Sequence, residues 1–182
     1  GTKILPIQSL GTSYLAVSYE TALRNAGSEI AIVATEDGTE VEVTPTANTE
    51  GGRTAGVPFT VNLQRGESYQ IKAASVGGDL TGTKIKSTEA SGSCRPFAVF
   101  SCVVCAEIPS GCSFCDHIYE QNFPVSTWGR EYLSVPYRFT SSYVLRILAL
   151  ENNTRVEIDY ASPQILAAGQ YFDIPSATTA LH

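Results

Sequence analysis

The sequence predicts an all-β protein: two related antiparallel β units packed together as sandwich-like sheets, the second unit incomplete. Three observations predict it. Short β-branched runs alternate apolar and polar residues, Gly-centred turns separate them, and the same order of runs and turns occurs twice within 182 residues. A chain of this length buries enough surface to fold without a metal or a covalent staple.

Taken in order, Glu29–Thr35 and Thr39–Thr44 flank Glu36-Asp37-Gly38. Asp-Gly between two β-rich runs is a strong hairpin signal, because Gly accepts a positive φ without a Cβ clash. In the second run Val41 and Val43 alternate with Glu40 and Glu42, so one face meets the core and the other meets water. Phe59–Leu63 and Tyr69–Ala73 surround a second turn, Gln64-Arg65-Gly66-Glu67, and Lys84–Lys86 continues the pattern. Pro96–Val104 is apolar at successive positions, as expected of a strand buried on both faces. Glu20–Asn25 is the one stretch with helical character, and Gly27 stops it after little more than a turn.

The second appearance of the pattern starts at Trp128-Gly129-Arg130-Glu131-Tyr132-Leu133, which answers Leu10–Leu15. Ile147–Ile158 answers Ile32–Val43, with Asn153 in place of Gly38, and Ala167-Ala168-Gly169-Gln170 answers Gln64–Glu67. Asn is the side chain most tolerant of the left-handed region, so the turn survives the exchange. The expected division is residues 1–118 for the first unit, with the cysteine cluster, and 119–182 for a truncated second copy. The second copy has no counterpart of Lys84–Val104 before His182, so it is expected to present an open sheet edge. Such an edge invites self-association or pairing with a further segment of the chain.

Composition narrows the function. Twelve basic residues stand against 18 acidic ones, a net charge of -6, and no run of Lys and Arg is present to neutralise a phosphate backbone. Nucleic acid is therefore excluded as a partner. The longest apolar run, Phe97–Ile108, is too short to span a bilayer as a helix. Met is absent, all five cysteines lie between residues 94 and 115, and Asn152-Asn153-Thr154 is a glycosylation sequon with Asn152 as the acceptor. Together these favour an oxidising, extracellular setting. No charged n-region precedes an apolar h-region, so any signal peptide is expected to have been removed.

Cys102-Val-Val-Cys105 and Cys112-Ser-Phe-Cys115 match the written spacing of a four-thiolate zinc site, with Asp116 and His117 next to it. Against that, residues three apart in a strand point to opposite faces, and Val-Val is a poor turn between paired ligands. Disulfides among Cys94, Cys102, Cys105, Cys112 and Cys115, with one thiol left over, are the favoured reading, and spacing does not choose the partners. No metal or cofactor is expected.

Histidine occurs only at 117 and 182. No nucleophile elbow, phosphate loop, dinucleotide fingerprint or His-Glu-x-x-His is present, so no catalytic residue is assigned and the protein is read as non-enzymatic. Paired carboxylates at Glu36/Asp37 and Glu40/Glu42 fall on turns and strand faces that meet solvent. Trp128 aligns with Leu10 and is expected in the core. Asp116, His117, Tyr119 and Glu120, in a polar stretch expected to loop out after the cysteines, are the candidate ligand-binding residues.

Several of these segments resemble the amino-terminal domain of the IgG Fc-binding protein family. The matching stretches are Ala34–Thr39, Asp79–Thr83 and Pro96–Ser101, and above all Cys115-Asp116-His117-Ile118-Tyr119-Glu120-Gln121 running into Pro124–Gly129. The resemblance implies a secreted, cysteine-bridged β-protein engaged in adhesion, mucus organisation or glycoprotein binding. It associates Cys105 and Cys115 with the family, leaves Cys94, Cys102 and Cys112 as additions, and supplies no catalytic residue. The chain is also shorter than the family domain. The expectation is an extracellular, lectin-like or Fc-binding module whose partner is a glycoprotein or its glycans. A zinc protein built on the 102–115 cluster and a purely structural bridged module are the alternatives.

Overall fold

The computed structural model describes residues 2–23, 26–88, 95–111, 114–138, 140, 142–159 and 161–182. Its regular structure is antiparallel β throughout, apart from 3-10 turns such as Ile7–Ser9 and Val125–Thr127. Two compact units result, one of Gly1–Ala106 with Asp116–Trp128 and one of Glu107–Cys115 with Gly129–His182.

Among the described residues the first unit holds eight strands: β1 (Ser13–Leu15), β2 (Glu29–Ala34), β3 (Thr39–Thr44), β4 (Phe59–Leu63), β5 (Ser68–Lys72), β6 (Lys84–Ser87), β7 (Phe97–Ala106) and β8 (Asp116–Gln121). They form two four-stranded sheets, ordered β5-β2-β7-β8 and β1-β6-β3-β4, packed as a sandwich. Ile30, Ile32, Ile71, Phe97 and Val99 from one sheet and Tyr14, Val41, Val43, Leu63 and Ile85 from the other share a single buried cluster. Tyr14 anchors the seam. Its ring tilts against Phe97 at 5.1 Å, and its hydroxyl donates to the Phe97 carbonyl at 2.7 Å while accepting the Gly11 N–H at 2.9 Å. Burial raises its phenol above the usual range, so it stays a donor.

The turn at Glu36–Gly38 does not make the expected hairpin. β2 and β3 lie in different sheets, so the turn is an arch across the sandwich, as is Gln64–Glu67 between β4 and β5. The physical reason lies in burial. Alternation in both strands requires each apolar set to be covered, and an arch lets Ile30 and Ile32 cover Val41 and Val43 from the opposite layer. The two arches lie side by side because β2 pairs β5 and β3 pairs β4. The Arg65 N–H donates to Asp37 Oδ1 at 2.9 Å, and Gly38 and Gly66 take φ of 68° and 81°.

Glu20–Asn25 carries no helical turn among its described residues. Thr21 and Ala22 donate to the Cys105 carbonyl at 3.1 and 2.8 Å, so the segment runs across the end of β7 instead; residues 24 and 25 lie outside the described residues. The boundary expected at 118/119 falls inside β8, which stays with the first unit through five register pairs to β7.

The second unit contains β9 (Tyr143–Leu148), β10 (Thr154–Val156), β11 (Gln164–Leu166) and β12 (Tyr171–Ala177), paired as β12-β9 and β10-β11. Several of its register pairs and turn contacts match ones at the centre of the first unit. Ile32 sits opposite Tyr69 and Ile147 opposite Phe172; Thr39 sits opposite Leu63 and Thr154 opposite Leu166. Asn153 has φ 61° and Gly169 has φ 80°. The Ala168 N–H donates to Asn152 Oδ1 at 3.0 Å, as Arg65 does to Asp37. Gly129 donates to the Tyr132 hydroxyl at 2.8 Å, as Gly11 does to Tyr14. Burial is where the units part: Ala149, Leu166 and Ala177 are the buried apolar residues among those described in the β9–β12 region.

Candidate binding surface

The first sheet has two edges, β8 and β5, and both carry polar chemistry. Asp116, His117, Tyr119 and Glu120 all lie on β8, so the expected loop is in fact an edge strand paired to β7 from Phe100 to Ala106. The stretch lacks an apolar period because most of its side chains meet water (Gln121 is buried), which is what made it read as a loop.

Each side chain is held by a near neighbour. Asp116 Oδ1 accepts from the His117 N–H at 2.7 Å and lies 2.9 Å from His117 Nδ1. The backbone bond first, and then the imidazole, hold the Asp116 carboxyl below its ordinary range. Glu120 Oε2 accepts from the Thr2 hydroxyl at 2.8 Å, and that hydroxyl in turn accepts the Gln121 N–H at 2.9 Å. Tyr119 stacks flat on Phe100, with centroids 5.4 Å apart and planes 7° from parallel, yet 42% of the residue stays exposed. Burial, then the adjacent Cys102 thiol, push its phenol up. By strand alternation His117 and Tyr119 project to one face and Glu120 to the other. The arrangement therefore offers a stacked aromatic plate on the same face as an imidazole, with a carboxylate bonded to that imidazole.

The cysteines sort in part. Cys105 and Cys115 form a disulfide that closes the β7–β8 connection. Cys102 is a free, half-buried thiol, while Cys94 and Cys112 lie outside the described residues. The zinc alternative built on the 102–115 cluster is corrected on this point, since Cys105 and Cys115 are bonded to each other and have no thiolate to give. Trp128, expected in the core, is half-buried, and its indole N–H donates to the Phe123 carbonyl at 3.3 Å.

The opposite edge escaped sequence reasoning. A shallow depression of about 290 Å³ lies between the Thr49–Gly51 turn and β5, with Tyr69 and the Glu50–Lys72 ion pair (2.9 Å) in its lining. Arg53 sits 4.3 Å over the Phe59 ring, itself edge-on to Tyr69. Nothing in the local pattern of residues 49–53 signals this, because the feature exists only once they pair beside Lys72–Ala74.

The family described as IgGFc binding protein has a model that matches residues 1–182. This chain belongs to the IgGFc-binding protein family. The family is thus established over the whole length, including the β8 run on which the resemblance rested most. The IgGFc-binding protein of Homo sapiens is 31% identical over 163 residues, covering 87% of this chain and 3% of that protein. The chain therefore spans a small fraction of that relative's length. No solved structure matches the chain. Among the described residues no helix is long and apolar enough to cross a membrane.

Proposed function

We propose that this chain is a non-enzymatic, extracellular recognition and adhesion module that binds a glycoprotein, immunoglobulin Fc among the candidates, through its glycans. Family membership supports the general class, and the observation that carries the site is Tyr119. Its ring is stacked on Phe100 with the residue still 42% exposed, on a strand that presents His117 on the same face. A preordered aromatic face binds the apolar face of a sugar ring or a protein side chain at little entropic cost. Asp116 orients His117 beside the ring, while Glu120, on the opposite face of the strand, is held by Thr2. Secretion is supported by the Cys105–Cys115 disulfide, the absence of Met and the exposed sequon at Asn152, which we assign as a glycosylation site. The same disulfide also favours a second reading, a bridged module that serves mechanical stability alone.

The test is a glycan array together with immobilised Fc, run with the intact chain, with Tyr119→Ala, and with chelator in a parallel arm. Tyr119→Ala is expected to lower affinity by about tenfold or more, as removal of an aromatic anchor does. Binding that survives the substitution unchanged would move the site elsewhere, and loss of binding with chelator would bring a metal into it. No binding to either surface would leave the structural module as the better reading.

A further inference from the structure

We propose that the outer edge of β9 is a docking site for one antiparallel strand of β7-like chemistry, extended and apolar at successive positions, supplied from outside residues 1–182. The inference does not rest on the binding role assigned to β8.

The first unit shows what such an edge receives. β2 is paired on both sides: the Ala34 N–H donates to the Glu67 carbonyl beside β5, and alternation turns Glu29, Ala31 and Val33 toward β7, opposite Cys102, Phe100 and Ala98. β9 repeats the inner half of this arrangement, with the Ala149 N–H donating to the Gln170 carbonyl beside β12. The same alternation turns Val144 and Leu148 outward. Among the described residues no strand pairs with that side of β9.

Side-chain burial points the same way. Ile30 and Ile32 are fully buried between β7 and the opposite sheet, whereas the matching Leu145 and Ile147 are only half-buried. The chemistry of the edge is also unguarded. Exposed edges are normally blunted by charge. β8 follows that rule with Asp116, His117 and Glu120, but β9 (Tyr-Val-Leu-Arg-Ile-Leu) holds a single charged residue, Arg146, and its guanidinium is engaged by Asp173 at 2.7 Å. A second copy of the chain fits this edge less well. β9 paired with its own equivalent about Arg146 would set two guanidinium groups directly opposite each other, which is unfavourable.

The experiment uses the whole chain extended at its C-terminus by a Gly/Ser linker of about 20 residues and the Phe97–Ala106 sequence with both cysteines as serine, which keeps the strand at high local concentration. A scrambled strand on the same linker is the control. Amide exchange at Val144 and Leu148 is expected to slow by about tenfold against the control, with the protein monomeric. Unchanged exchange at both amides, or equal protection by the scrambled strand, overturns the proposal. So does protection of those amides in the unextended chain that grows with concentration, since the occupant is then a second copy.

Discussion

Cys102 shows how one residue reports on the sheet around it. Its thiol is half-buried on the face of β7 that also carries Phe100; burial, and then the nearby Glu29 carboxylate, push it up to about 11. The fold thus favours the protonated thiol. Stability from this group is fully present below the ordinary value of 9.0 and is lost as pH rises through about 11. Alkylation of Cys102 at pH 8 is expected to be slow in the native protein and fast in denaturant, with native reactivity climbing toward pH 11. A rate at pH 8 equal to that of a free thiol would contradict the assignment. Gly27 is set by space rather than by dihedral angle: a Cβ there would lie 2.4 Å from the Ala73 carbonyl oxygen. Gly27→Ala should cost about 2 kcal/mol in urea unfolding, since a backbone atom must move to admit the methyl. Asn152 is exposed at the arch between β9 and β10, and its Oδ1 accepts from Ala168, which leaves Nδ2 to carry a sugar. Expression through a secretory pathway should yield a mass that falls on glycosidase treatment, and Asn152→Gln should abolish the difference.

At the level of the element, the strands with one apolar face were legible, and so was β7. Ile30, Ile32, Val41 and Val43 recur with period two and are all fully buried. What alternation could not say is which sheet each strand joins, because an arch and a hairpin both need one apolar face per strand and use the same Asp-Gly turn. β8 was unreadable for a different reason: most of an edge strand in water has no apolar period, so the stretch holding the four candidate residues was expected as a loop and is a strand. The end of β7 and the start of β8 are joined by Cys105–Cys115, which restrains the unfolded chain over a short loop. Cys115→Ser should lower stability by about 2–3 kcal/mol, less than a long-loop bridge would contribute. Equal melting temperatures under oxidising and reducing conditions would show that the bridge contributes nothing.

For the whole molecule, two units with related hydrogen bonding differ in how much they bury. The first has a continuous core reached by both sheets; the second buries few apolar side chains among those described. Amide exchange should follow this contrast, slowest in β2, β3 and β7, which are paired on both sides, and fastest in β10 and β11. Comparable protection in β10 and β3 would mean that the second unit is covered by something its own strands do not provide. The arches have a consequence for how the chain acquires this structure. β2 finds its partners in β5 and β7, and β1 finds its partner in β6, so most ladders of the sandwich close between segments distant in sequence. Such topologies fold on the millisecond-to-second scale. On the ribosome, residues 1–96 emerge without the strand that fills the middle of their first sheet. Until Phe97–Ala106 follows, β2 is an apolar strand with one side open, and a chaperone that shields extended apolar segments has its natural client there.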